Sequence, residues 1–332
     1  MKKFAVCLCS DKDMMWQAFF ALERLIRHCV RPDVAFFYFH SDPIPDVFRP
    51  LIHPSVQTVP ATPATLADRD DADGPRLTSA HFLRLTAIEQ VAQEFERVLY
   101  LDADVFLRWG DISDLSLIDL ADHPLAAVRD ISLWFGAPHG KNRAYHAGLP
   151  ERVRGRYFNS GVLLVQSRIY RDLAVSRRAI TEWENNPALC KFGDQSALNR
   201  VVDGNWAELS AGWNWQAILP VKAMIASRNP RLVHFVGHTK PWQDPLFHQE
   251  EIYWFLMQQF LSRHGLADEI KFSRRYLAEP LDERKRSRQQ RDLYGDPFRT
   301  RKLLQDYLDR EDFADSRQGI AAFRTDDLTL DA

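Results

Sequence analysis

Residues 97–107, Arg97-Val98-Leu99-Tyr100-Leu101-Asp102-Ala103-Asp104-Val105-Phe106-Leu107, constrain the fold of this chain more than any other stretch. Apolar, β-branched and aromatic side chains follow one another with almost no polar interruption. That pattern suits a strand buried on both faces, as in the middle of an α/β sheet. Two aspartates then stand two positions apart. In extended backbone, positions i and i+2 project to the same side, so both carboxylates are expected to aim at one point. Open α/β sheets bind ligands beyond the carboxyl ends of their strands. Two hard oxygen anions there suit a divalent cation, which in turn can hold phosphate. The plainer reading is a strand that ends in solvated turn residues.

The preceding hundred residues support a central position for this strand. Residues 4–9 read as a first strand and 14–30 as a helix stopped by Arg31-Pro32. Residues 34–39 read as a second strand. Strand, helix, strand implies a parallel pair with a crossover. Residues 58–79, rich in Pro, Ala and Asp, carry no period and read as a long loop. Helical spacing resumes over 78–94. Later come a short acid-capped helix at 111–120 and a strand at 125–128. A loop-like segment at 131–155 carries Trp134, His139, Asn142, Tyr145 and His146. Residues 157–165 form a buried strand broken by Asn159-Ser160-Gly161, where a bulge is expected. Helices follow at 167–184 and 193–202, and a last strand at 232–236. Trp213 and Trp215 read as core, His139 and His146 as surface. Beyond about residue 250 the chain turns helical and aromatic, giving a C-terminal helical extension at 251–332 beside a catalytic unit at 1–250. Residues 271–302 hold 11 Lys or Arg against five Asp or Glu. Such a stretch reads as a solvated helix or as a contact with anionic membrane.

Composition removes several functions. A formal net charge of −2 over 332 residues gives no global attraction to nucleic acid. The four cysteines have no metal-ligand spacing and read as reduced thiols of a cytoplasmic protein. No apolar run approaches the roughly 18 residues of a membrane span. With 14 glycines the chain shows neither G-x-G-x-x-G nor G-x-x-x-x-G-K-[ST], neither a nucleophile elbow nor H-E-x-x-H. A bound nucleotide would therefore be held by metal and dispersed side chains. His234, at the end of a strand, is a candidate third ligand beside Asp102 and Asp104. An imidazole in the set favours manganese over magnesium. Gly237 would let backbone approach a phosphate, and Lys240 would supply a point charge for it.

Four segments together carry a resemblance. They are Leu99-Tyr100-Leu101-Asp102-Ala103-Asp104, Tyr157-Phe158-Asn159-Ser160-Gly161-Val162-Leu163-Leu164, Gly193-Asp194-Gln195 and His234-Phe235-Val236-Gly237-His238-Thr239-Lys240-Pro241-Trp242. In order and approximate spacing they resemble glycosyltransferase family 8, over about residues 3–245. The resemblance implies a GT-A fold, a mainly parallel nucleotide-binding sheet flanked by helices. It also implies retaining transfer of glucose or galactose from a UDP-sugar, with manganese (or magnesium), to a saccharide or glycolipid. By position Asp102, Asp104 and His234 match the metal ligands, with Asp102 also touching ribose or sugar. Gly237 and Lys240 match diphosphate contacts. Asp11 matches a uracil contact, and Asp13 stands where the family often has a ribose-contacting Asn. Arg84 matches the arginine on donor sugar and diphosphate. Asn159, Asp194 and Gln195 match residues around the donor hexose, and Asp130 falls on the acceptor side. Two other readings use the same residues: a haloacid-type phosphohydrolase with Asp102 as nucleophile, and a non-catalytic sugar-nucleotide binder.

Overall fold

Side chains at successive positions of Phe4–Leu8 are all apolar and all fully buried, so this segment must have protein on both faces. In the computed structural model it lies in β1 (Lys2–Ser10), in the interior of a seven-stranded sheet. The structure describes residues 2–63, 79–136, 138, 140–218, 221, 224–237, 240–242, 251–270 and 301–324. The other strands of this sheet are β2 (Val34–His40), β3 (Val56–Pro60), β4 (Phe95–Asp102), β6 (Leu125–Arg129), β7 (Phe158–Gln166) and β8 (Ala207–Glu208). Their order is β3-β2-β1-β4-β7-β6-β8. The β3-β2-β1-β4 half is parallel, and β7 runs antiparallel to both β4 and β6. A second, three-stranded sheet holds β5 (Val105–Leu107), β10 (Leu232–His234) and β9 (Trp215–Gln216) in that order.

The expected β1–helix–β2 unit is present, with helix Met15–Arg27 as the crossover. Four expectations change. The run at 97–107 is two strands, because Ala103 and Asp104 form a turn that transfers the chain from the large sheet to the small one. The loop expected from residue 58 begins as β3, an edge strand whose Pro60 lies at its end, where a missing N–H costs little. The remainder of that loop, 64–78, lies outside the described residues. The helix expected at 167–184 is two helices, Ser167–Asp172 and Val175–Asn185, divided at Ala174, whose φ of +48° no α-helix can contain. The segment at 131–155 is helical in three short pieces, Ile131–Leu133, Gly140–Ala147 and Glu151–Arg154. Within it His146 is buried against Tyr157, not at the surface; His139 lies outside the described residues. Trp213 and Trp215 are core, as their setting suggested.

C-terminal residues complete this core. Helix Glu251–Arg263 buries Tyr253, Met257, Phe260 and Leu261 in the same apolar cluster as helix Met15–Arg27. Asp315, fully enclosed, accepts from Ser210 N, Ser210 Oγ and Trp213 Nε1. Residues 271–300, most of the basic stretch, lie outside the described residues. Among the described residues, no helix is long and apolar enough to cross a membrane.

Candidate functional site

Strand register places the site. Cys9 of β1 lies opposite Asp102, so both strands end at one edge of the large sheet. After the Ala103–Asp104 turn, β5 runs antiparallel to β10 and sets Val105 opposite His234. Phe235 N donates to Asp104 O, which closes the two strands onto each other at this point. Sequence-distant His234 thus faces the aspartate pair. Its Nε2 lies 3.3 Å from Asp104 Oδ1 and 3.8 Å from Asp102 Oδ2. One ligand atom from each of the three residues falls within 4.8 Å of the others.

That approach requires a small residue on β7. Opposite β6, Ala127 faces Leu163 and Val128 faces Asn159, so Ser160, Gly161 and Val162 have no partner on β6. This is the bulge expected from Asn159-Ser160-Gly161. A Cβ on Gly161 would lie 2.1 Å from His234 Cε1 and 3.0 Å from Asp102 Oδ2. Only hydrogen fits in that space.

Charge at the site is ordered by two cations. Lys240 Nζ, 2.5 Å from Asp104 Oδ2, also donates to Phe235 O. Burial alone would raise the Asp104 carboxyl, but Lys240 and His234 hold it well below the usual carboxylate range. Arg84 turns inward from helix Leu83–Val91 and is 7% exposed. Its Nη1 donates to Ser160 O and Oγ. Its Nη2 lies 3.2 Å from Asp102 Oδ1, and its Nε 2.5 Å from Asp194 Oδ2. Burial pulls the guanidinium down, yet Asp102 and Asp194 more than offset this and keep it charged. Burial pushes the Asp194 carboxyl up against the attraction of Arg84. Tyr100 Oη donates to Asp102 Oδ1 at 2.7 Å, so that oxygen has a second partner.

A line of amides joins this charged cluster to Asp130. His234 Nδ1 lies 3.0 Å from Asn214 Oδ1, and Asn214 Nδ2 donates to Asn159 Oδ1 at 2.9 Å. Asn159 Nδ2 donates to Gln195 Oε1, and Gln195 Nε2 donates to Asp130 Oδ2. Ser132 Oγ donates to Asp130 Oδ1 at 2.6 Å and lies 3.1 Å from His146 Nε2. Of the residues expected from sequence, Asp102, Asp104, His234, Lys240, Arg84, Asn159, Asp194, Gln195 and Asp130 therefore form one connected network. Asp11 and Asp13 lie just past the end of β1. Asp11 accepts from Asp13 N, capping the turn Lys12–Met14, and burial with Asp13 nearby raises its carboxyl. Gly237 has φ +85°, and among the described residues nothing lies within 4 Å of where its Cβ would be.

Comparison with known proteins agrees with this geometry. Residues 7–245 match the family described as "Glycosyl transferase family 8". The chain belongs to that family. Similar proteins include general stress protein A of Bacillus subtilis, 27% identical over 53% of this chain and 63% of that protein. Glycosyltransferase GlyF of Streptococcus pneumoniae is 26% identical over 67% of this chain and 54% of its own. Lipopolysaccharide 1,2-glucosyltransferase of Escherichia coli is 28% identical over 49% of each. These alignments span from about half to less than two thirds of the relatives' lengths. Among solved structures, galactosyltransferase LgtC with donor and acceptor sugar analogues superposes with a TM-score of 0.60. Its identity is 19%, over 79% of this chain and 95% of that one. The expected GT-A fold is therefore the fold of this family 8 chain.

Sequence reasoning missed Asn214, Tyr100, Ser160 and Ser132 as parts of the network. For Asn214 a signal existed: it stands between Trp213 and Trp215, and all three are fully buried. A polar side chain fixed between two core aromatics needs partners.

Proposed function

We propose that this chain transfers a hexose, glucose or galactose, from a UDP-sugar to a saccharide or glycolipid acceptor, with retention at the anomeric carbon. One observation carries the reading: Asp102, Asp104 and His234 converge from three strand ends, with Lys240 on Asp104. Two carboxylate oxygens and one imidazole nitrogen fit a divalent cation, manganese better than magnesium. Held by those three side chains, the ion would supply Lewis-acid stabilisation of negative charge on a departing diphosphate. Lys240 adds a fixed positive charge at the same place, and Gly237 and Asp11 are read as diphosphate and uracil contacts, Asp13 as a ribose contact.

Retention is read as attack on the face the diphosphate leaves, with the departing phosphate oxygen taking the acceptor proton. Gln195 Oε1 already accepts from Asn159 Nδ2 and Ser160 N, so its lone pairs are occupied and it is a neutral, poor nucleophile. Gln195 and Asp194 then orient the donor, and Asp130 faces the acceptor. Positioning of this kind can contribute several kcal/mol. Relatives named as lipopolysaccharide glucosyl- and galactosyltransferases support a glycolipid acceptor, and the chain is read as cytoplasmic, at the inner face of a membrane. Family membership sets aside the phosphohydrolase. Residues 1–250 are read as the catalytic unit, 251–332 as its extension, with 271–302 as its candidate lipid contact.

The test is a panel of UDP-sugars, with and without manganese, read by UDP release. UDP-glucose or UDP-galactose should turn over in a manganese-dependent, chelator-sensitive way. Turnover insensitive to chelation, or UDP binding without hydrolysis or transfer from any donor, would overturn the proposal.

A further inference from the structure

An imidazole can bind a cation through one nitrogen only if that nitrogen carries a lone pair. The other nitrogen must then hold the proton. Which nitrogen of His234 is bare can be followed from backbone groups whose chemistry is fixed. Gly161 N can only donate, and it points at Asn159 Oδ1 at 3.0 Å. That contact fixes the Asn159 amide with its oxygen towards Gly161. Asn214 therefore presents its NH2 to Asn159 Oδ1, at 2.9 Å, and its oxygen to His234 Nδ1, at 3.0 Å. An oxygen at that place accepts, so Nδ1 holds the proton. In the neutral ring that leaves the lone pair on Nε2, the nitrogen facing Asp102 and Asp104. A second backbone group points the same way. Ser160 N donates to Gln195 Oε1, so Gln195 has its oxygen towards Asn159 Nδ2 and its NH2 towards Asp130. Both ends of the line give Asn159 the same orientation.

We infer that Asn214 is the positioning residue of the metal site, holding the His234 ring in the tautomer and rotation that turn Nε2 to the cation. This rests on the metal reading above. Asn214 touches neither carboxylate; it acts through His234. Its side chain is fully buried, so no water competes for the contact with Nδ1. The bulge in β7 thereby has two functions. Gly161 leaves space for the ring, and its N–H starts the line of amides that orients the ring.

Manganese titration of the full chain without nucleotide, followed by electron paramagnetic resonance, tests this. Asn214→Leu removes the acceptor at similar volume and should weaken manganese binding about 10- to 100-fold. Asn214→Asp keeps an acceptor for Nδ1–H while losing the donor to Asn159, and should restore most of the affinity. Thermal melting in chelator should not separate the two variants. Wild-type affinity in the Asn214→Leu variant, or Asn214→Asp as weak as Asn214→Leu, would overturn the inference. Asp104→Asn, run alongside, separates the two levels of argument. If it also leaves manganese affinity unchanged, the cluster is not the ion site and the metal reading has failed along with the inference. A measurement on the unmutated protein covers the case in which Asn214→Leu does not fold. With cadmium as a diamagnetic probe, ring 15N spectra should show His234 bound through Nε2 and protonated at Nδ1. Cadmium on Nδ1 would overturn the assignment.

Discussion

Gly161→Ala adds one methyl group at the place where the site has least space. The new Cβ would stand 2.1 Å from His234 Cε1 and 2.6 Å from Nδ1. Real Cβ contacts do not fall below 3.0 Å, so ring or strand must withdraw by about 0.9 Å. Metal ligands keep their distances within about 0.2 Å, so that withdrawal is several times what a site can absorb. The strand cannot yield freely instead, because Ser160 N and Gly161 N are held by Gln195 and Asn159. Gly161 does not have a left-handed φ, so crowding and not backbone strain is the cause.

Overpacking of this kind costs about 1–3 kcal/mol of stability, and a misplacement near 1 Å costs about a hundredfold in rate. Gly161→Ala should therefore melt at lower temperature, bind manganese at least about tenfold more weakly, and release UDP from its donor about a hundredfold more slowly. Gly155→Ala is the control. Gly155 has ordinary backbone and nothing within 4 Å of an added Cβ, so its substitution should be neutral or slightly stabilising. Gly161→Ala with manganese affinity and rate within about threefold of wild type would refute the reasoning.

Arg84→Met removes the guanidinium that lies 2.5 Å from the enclosed Asp194 carboxylate and should cost about 3–5 kcal/mol in urea unfolding. Adding Asp194→Asn should recover part of that loss, because the uncompensated charge is gone; a single-variant cost below about 1 kcal/mol would show that the pair is not ionic. His146 gives a pH signature. Burial lowers its pKa from the ordinary 6.5, so on acidification the unfolded chain takes up the proton first. Its contribution to stability is present above about pH 6.5 and is lost as pH falls below that value. Urea midpoints between about pH 7 and pH 5 should fall less steeply in His146→Gln than in wild type, and equal slopes would refute the assignment.

The parts of this fold that sequence made visible are those decided by local pattern. Apolar runs gave β1, β4 and β7, the last despite its break at Asn159-Ser160-Gly161, since only a doubly covered strand has a use for them. Two aspartates two apart marked the site end of β4, although the reason differs from the expected one. They converge through the turn at Ala103–Asp104 and not along a single strand. Elsewhere tertiary contact decided. Arg84 turns inward, and its partners Asp102, Ser160 and Asp194 are set by where β7 and helix Asp194–Val202 come to rest. His146 lies in a segment without period, and its enclosure by Tyr145 and Tyr157 depends on packing that no spacing reports.

Asn214 shows the limit most clearly. Neither its neighbours nor its distance from Asn159 in the chain suggests that the two amides meet, and no short motif contains both. What makes them meet is the departure of β7 from β6 at Ser160–Val162, which brings Asn159 to the edge where β9 and β10 enter. A regular strand there would bring different side chains to this edge and place a Cβ in the His234 ring. A bulge that looks like a defect in pairing is thus the condition under which two separate sheets can share one site. If so, changes that restore regular pairing across Ser160–Val162, such as deletion of residues from the bulge, should abolish manganese binding even when the large sheet still folds.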